Sequence, residues 1–197
     1  LSVCVTLRFR RWGHWLGIVL LTLSCGTYAA YIGYAAGLFV LVALLRLLDG
    51  KTPVRRILLD GLKYLAVLAV SAILYYLILK IALRLHQVSL AGYRGINNIG
   101  NFSFASILAS TVESYRKVYY FFRYGIFIYR VSFRIETTFL VLNWATMLLC
   151  VILSVWAALR NRVYRSVGRT ALILALVLLF PLAIHAIGVL GQNANTH

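Results

Sequence analysis

Carboxylates are almost missing from this chain. Asp49, Asp60, Glu113 and Glu136 stand against twenty Lys and Arg. With so few acids so far apart, no pair is placed for general acid and base work. Structural roles are available to each. Asp49 and Asp60 fall in a basic connection, where capping and pairing with nearby Lys or Arg explain them. Glu113 is expected in the first turn of a helix, where a negative charge complements the dipole. Glu136 adjoins Arg134 at the entrance to an apolar run. Cysteine is scarce too: Cys4, Cys25 and Cys150 are odd in number and unevenly spread. They form neither a disulfide framework nor a metal-ligand spacing and read as small hydrophobes. No GxxxxGK, CxxC, HExxH or GxSxG occurs, so no metal and no cofactor is expected.

Charge as a whole is scarce. Charged residues make up 12% of the chain, against about a quarter in a soluble domain. What fills the space is apolar: 62% of the residues are hydrophobic. Trp12–Leu45, Tyr64–Leu79, Thr137–Leu159 and Thr170–Leu190 each lack Asp, Glu, Lys and Arg. About 20 such residues in a helix cross roughly 30 Å of hydrocarbon. The chain therefore reads as an all-α, polytopic transmembrane protein whose main solvent is lipid. A net charge of +16 raises the question of nucleic acid. The basic residues flank apolar runs instead of forming one continuous face, so lipid headgroups are the expected partners and nucleic acid is not.

The residues 1–197 read as a single membrane domain with about five spans, near 12–24, 28–48, 62–83, 137–159 and 170–190. The 34 residues of Trp12–Leu45 are too many for one crossing and slightly few for two. A tight turn at Ser24-Cys25-Gly26-Thr27 is the expected break. That tetrad, following Arg8, Arg10 and Arg11, faintly resembles a lipoprotein cleavage site. The apolar run continues to Leu45, which favours a membrane segment over a cleaved leader. Ala29, Gly33 and Gly37 recur every four residues and predict a face for close helix packing. Thr52 is expected to cap the next helix with Pro53 at its first position. Lys63 and Lys80 bracket the third span and can snorkel. Pro181 predicts a kink in the last span, and His185 one turn later is read as a packing histidine, with a polar cleft as the alternative. The chain opens on Leu1 inside an apolar stretch and is expected to be part of a longer protein.

Residues 84–136 are the one sizeable non-spanning region. Its Gly- and Asn-rich middle reads as an ordered loop. Val112, Tyr115, Tyr119, Phe122, Ile126, Tyr129 and Phe133 then recur at steps of three or four, with Arg116, Arg123 and Arg130 every seven on another side. That is the pattern of an amphipathic helix lying in the membrane interface. Twelve basic residues (Arg8, Arg10, Arg11, Arg46, Lys51, Arg55, Arg56, Lys63, Arg160, Arg162, Arg165, Arg169) fall on one side of the expected topology. By the positive-inside rule that side is cytoplasmic, which sets the long loop and the carboxyl terminus outside.

Chemistry is sought in the long loop. His86, Gln87, Tyr93, Arg94, Asn97 and Asn98 set amides and a hydroxyl beside an aromatic ring and a guanidinium. Those groups suit sugar hydroxyls and a phosphate. The same Asn and Gly residues also satisfy ordinary turn geometry. Arg116, Lys117, Arg123, Arg130 and Arg134 can hold the phosphate of a lipid-linked substrate, or simply anchor to headgroups. Asn101-Phe102-Ser103 fits a glycosylation acceptor, which matters only in a eukaryotic secretory context.

Three stretches carry a family resemblance. Cys25 to Ala35, then Ile73 to Leu83 followed by Ser89 to Gly100, and Ser114 to Phe122 before two closing spans resemble the GtrII-type glucosyltransferases of bacterial membranes. The likeness covers most of the chain and is most specific at Tyr93, Gly95, Asn97 and Asn98. It implies a GT-C-type enzyme of the bacterial plasma membrane. Such an enzyme moves a sugar from a polyprenyl-phosphate carrier to a cell-surface polysaccharide, such as an O-antigen, on the outer side. The family's acidic catalytic loop lies early in the protein, so this chain would contribute scaffold and carrier-binding surface, with its catalytic base unassigned. On that footing Tyr93, Asn97 and Asn98 are expected near the sugar, and Arg94, Arg116, Lys117 and Arg123 near the phosphate. The rival readings are a non-catalytic lipid-carrier flippase or transporter subunit and a structural anchor for a partner enzyme.

Overall fold

Residues 1–9, 12–28, 30–87, 104–124 and 137–186 are described by a computed structural model of the chain. Among them every regular element is helical. Helix α1 spans Ser2–Arg8, α2 Gly13–Thr27, α3 Tyr31–Asp49, α4 Val54–Leu85, α5 Phe104–Tyr124, α6 Thr137–Arg160 and α7 Val167–Ile184. A one-turn 3-10 helix, Val163–Arg165, joins α6 to α7. Four helices (α3, α4, α6 and α7) are long and apolar enough to cross a membrane. The protein is a polytopic helical membrane protein, as its composition requires.

The first expected span is shorter than a crossing needs. Helix α2 has 15 residues, or about 22 Å. The expected break at Ser24–Thr27 does not occur, because those polar side chains stay inside the helix and bond its own carbonyls. Ser24 Oγ donates to the Leu20 carbonyl at 2.8 Å and Thr27 Oγ1 to that of Ser24 at 2.7 Å. The turn falls instead after Thr27, with Tyr28 extended at the C-cap. Helix α1, which polarity alone did not announce, folds back along α2. It fits because Gly13 and Gly17 have no side chain: a methyl at Gly17 would lie 2.0 Å from Thr6 Oγ1, and one at Gly13 2.6 Å from the Val5 carbonyl oxygen.

Helix α3 is the centre of the bundle. One core holds Val3, Leu21, Cys25, Ala35, Phe39 and Tyr64, with the Phe39 and Tyr64 rings stacked at 4.5 Å. A second holds Ala43, Leu47 and Ile57 against Leu172, Ile173 and Leu176 of α7. The small-residue face of α3 receives α7: the Ile184 carbonyl oxygen lies 2.2 Å from where a Gly33 methyl would be, and the Ile184 side chain 2.9 Å from that of Gly37. Ala29 lies outside the described residues. Helices α2 and α4 meet at Ser71, which is wholly buried: its Oγ lies 3.3 Å from the Ile18 carbonyl of α2 as well as 2.7 Å from that of Val67 in its own helix, and Thr22 Oγ1 donates to the Ser71 carbonyl at 3.4 Å. Without water in the hydrocarbon, each such hydroxyl must find its acceptor in the protein.

Helix α4 starts differently from the expectation at Thr52. Pro53 itself is the N-cap, with extended backbone, and Thr52 makes no side-chain cap. The Thr52 carbonyl instead accepts Arg169 Nη2 at 2.9 Å, while Arg169 Nη1 donates to the Leu47 carbonyl at 3.0 Å. Asn161 Nδ2 donates to the Leu48 carbonyl at 2.7 Å. These bonds fasten the α6–α7 connection to the end of α3, where Gly50 takes the left-handed conformation at φ 75°. The two short basic connections thus share one end of the bundle. Its carboxylates are already matched: Asp60 lies 2.8 Å from Arg46 and 3.5 Å from Lys63, and Asp49 lies 3.5 Å from Lys51.

Candidate functional site

Helix α5 lies at the other end. Its 21 residues begin at Phe104, and Glu113 consequently sits well inside the helix, not in its first turn. There Glu113 pairs with Arg116 at 3.8 Å, one turn along. The helix is amphipathic as expected, but its most buried positions are small polar ones. Ser110 and Ser114 are 4% and 3% exposed, with Ser114 Oγ donating to the Ser110 carbonyl at 2.8 Å. Val112, Tyr115 and Tyr119, from the predicted apolar stripe, are exposed. Small side chains allow close approach between helices, and a lipid-facing surface takes the large apolar ones.

Contacts to α6 and α7 hold α5 in place. Tyr115 donates its hydroxyl to the Leu178 carbonyl of α7. Asn143 Nδ2 of α6 donates to the Phe121 carbonyl at 3.3 Å. The rings of Phe122 and Trp144 meet at 6.4 Å between centroids. Leu178 lies in the C-terminal half of α7, remote from the Arg169 clasp at its start.

The cations follow from this docking. Arg116 and Arg123 are seven residues apart, about 10 Å along one flank, and both are exposed. Tyr120 sits between them: its hydroxyl takes a hydrogen bond from Arg116 Nε at 3.2 Å, and the guanidinium lies over its ring at 5.7 Å. Spacing at i and i+4 carries this pair, and it was the signal available for Tyr120 in the sequence. Lys117 is half-buried and its charge acts on His185 at the end of α7. The structure therefore sets Arg116, Lys117 and Arg123 on one helix, with Lys117 close enough to His185 for its charge to be felt there. Tyr93, Arg94, Asn97 and Asn98 lie outside the described residues, as do Asn101, Ser103, Ile126, Tyr129, Arg130, Phe133, Arg134 and Glu136. Among the described residues, no three His, Cys, Asp or Glu side chains gather as a metal centre would need.

An exposed pair of guanidiniums, with an ammonium behind it, on a helix seated against membrane spans can bind a phosphorylated amphiphile. The signature of the family described as Glucosyl transferase GtrII matches residues 2–196. The chain belongs to that family. Searches of curated proteins and of solved structures find no match to it. Membership in the GtrII glucosyl transferases makes this a glucosyltransferase-family membrane protein. Its chemistry accordingly needs a sugar donor and an acceptor.

Proposed function

We propose that this GtrII family chain is the carrier-binding part of a GT-C-type glucosyltransferase. In this reading it takes glucose from a polyprenyl-phosphate carrier at the outer face of the bacterial plasma membrane and delivers it to a cell-surface polysaccharide. The observation that carries the reading is the set of cations on α5, placed at the bundle end opposite the short basic connections. With those connections cytoplasmic, as charge bias requires, α5 and the carboxyl terminus face outward.

Transfer breaks the bond from the sugar C1 to the phosphate oxygen and forms one from C1 to an acceptor hydroxyl. The carrier enters as a phosphodiester with one negative charge and leaves as a phosphomonoester with nearly two. Cations beside it therefore gain more in the transition state than in the bound substrate, which is the condition for acceleration. Arg116 and Arg123 supply bidentate donors and Lys117 a point charge. Tyr93, Arg94, Asn97 and Asn98 complete the proposed site on the sugar side. The acceptor proton goes to a carboxylate base other than Glu113, which Arg116 holds.

The full-length protein, assayed for transfer from polyprenyl-phosphate glucose, tests this. Arg116→Ala, Arg123→Ala and Arg94→Ala should each lower kcat/KM by about tenfold or more, the worth of one hydrogen bond to a charged group. Asn98→Ala should act chiefly on KM. Lys80→Ala, whose ammonium lies over the Tyr76 ring at 5.1 Å, should leave transfer unchanged. Undiminished transfer in all three arginine variants would remove α5 and the loop from the site.

A further inference from the structure

At the basic end, the corner between α6 and α7 carries a feature that sugar transfer does not use. Tyr164, Val167, Thr170, Ala171 and Leu174 line a groove of about 290 Å³. Val167, Ala171 and Leu174 fall at i, i+4 and i+7 on α7, so the groove runs from the connection along the span for about 10 Å. Its walls are apolar except for two hydroxyls near its mouth, on Tyr164 and Thr170. Thr170 Oγ1 is turned to the Val163 carbonyl at 3.4 Å, which leaves the Tyr164 hydroxyl as the donor at the rim.

The connection beside the groove is positive. Arg160, Arg162 and Arg165 are all exposed. Among the described residues, none of the three has a carboxylate within 4.0 Å. The two acids at this end, Asp49 and Asp60, are already occupied by Lys51, Arg46 and Lys63. The connection is also held still. Arg169 and Asn161 tie it to the end of α3, and Val163 beneath it is buried. A shallow apolar groove open to lipid, with guanidiniums near its headgroup end that have no carboxylate partner among the described residues, is complementary to one kind of molecule.

We infer that this corner binds one anionic phospholipid, its acyl chain along Val167, Ala171 and Leu174 and its phosphate between Arg162, Arg165 and the Tyr164 hydroxyl. Charge complementarity selects the anionic headgroup and the direction of the groove selects a chain-bearing molecule over free phosphate. The bound lipid would fix the α6–α7 connection from outside as Arg169 fixes it from within. The inference is independent of the sugar-transfer reading, because it concerns the other end of the bundle.

Native mass spectrometry of the full-length protein in detergent, with dioleoylphosphatidylglycerol or dioleoylphosphatidylcholine added, tests it. Wild type should retain one phosphatidylglycerol about 25-fold better than phosphatidylcholine, from about fivefold for each of the two arginines at an anionic headgroup. Arg162→Gln/Arg165→Gln should erase that preference. Ala171→Phe, on an exposed position, should fill the groove and release either lipid. Arg55→Gln/Arg56→Gln, which removes the same charge from the first turn of α4 at the same end, should change retention less than about twofold. Equal loss in that control pair would show a diffuse field and overturn the site. Unchanged retention in Ala171→Phe would show that no chain enters the groove. Retention of polyprenyl phosphate as strong as that of phosphatidylglycerol would assign the corner to the carrier and overturn the phospholipid.

Discussion

Helices α3 and α6 have nearly the same mean hydropathy, 2.0 and 2.1, yet a third of the α3 span is buried in the protein and none of the α6 span is. Hydropathy therefore decides that both enter the membrane, and something else decides which one the bundle closes around. That difference is size. The buried face of α3 is Gly33, Ala35, Ala36, Gly37 and Ala43, with Phe39 and Leu47 between them. Helix α6 presents Leu148, Leu149, Val151, Ile152 and Val155, all exposed, and its hydroxyls turn inward on their own backbone, Thr146 to Leu142 and Ser154 to Cys150. In lipid, a large apolar side chain gains little by leaving the solvent, so contact is won by backbones that approach closely.

The sharpest way to break this contrast is to add one methyl to α3. At Gly33 the methyl would meet the backbone oxygen of Ile184 at 2.2 Å, and a backbone atom of a packed helix cannot swing aside. Gly33→Ala should cost about 3 kcal/mol, the upper end of overpacking. At Gly37 the obstacle is the Ile184 side chain at 2.9 Å, which can change rotamer, so Gly37→Ala should cost less. At Gly61 of α4 nothing lies within 4 Å, and Gly61→Ala should stabilise by about 0.5–1 kcal/mol through helix propensity. Unfolding of the detergent-solubilised protein in rising dodecyl sulfate measures all three. An unchanged midpoint for Gly33→Ala would mean that α3 and α7 do not pack as described.

The next effect in size concerns how the outer helices are fastened. Helix α7 reaches α3 by packing at its C-terminal end and by polar bonds at its start, where Arg169 bridges the Leu47 and Thr52 carbonyls. A cation at a helix C-terminus also meets the negative end of the dipole. Arg169→Gln should cost about 2 kcal/mol, as hydrogen bonds from a charged donor do. Arg169→Lys should recover only part of it, because an ammonium lacks the planar fork. Full rescue by Lys in the same unfolding experiment would show that charge alone matters there.

Much of this was legible in residue order and some was not. The uncharged runs announced the spans because the bilayer leaves backbone groups no partner outside a helix, and the Gly33 and Gly37 spacing announced the face that α7 occupies. Helix α1 and the turn after Thr27 were hidden: the first depends on a contact between helices, Gly17 against Thr6, and the second on Ser24 bonding the Leu20 carbonyl inside its own helix, neither of which polarity encodes. On α5 the period of three and four was legible, but not the choice of inward face. That choice went to Ser110 and Ser114 because close helix approach rewards small side chains in lipid. The cations Arg116, Lys117 and Arg123 were legible as a group. Tyr120 between the two arginines was legible only through its i, i+4 spacing from Arg116, a weak signal in a helix with so many other aromatics.

The smallest expected effect tests the other half of the contrast. Leu148 of α6 is 58% exposed, and in water truncating a large side chain at so apolar a surface would change solubility as well as stability. In the bilayer the neighbours of that side chain are lipid tails in both the associated and the dissociated helix, so its removal changes neither state relative to the other. Leu148→Ala should move the unfolding midpoint by less than about 0.5 kcal/mol, within the range of surface substitutions, whereas Leu47, wholly buried against α7, loses its partners when cut to Ala and should cost about 2 kcal/mol or more. The two leucines are alike in hydropathy and differ only in what surrounds them. Comparable losses at both would mean that α6 is covered by protein, and that the difference between α3 and α6 reflects a missing neighbour instead of a lipid-facing surface.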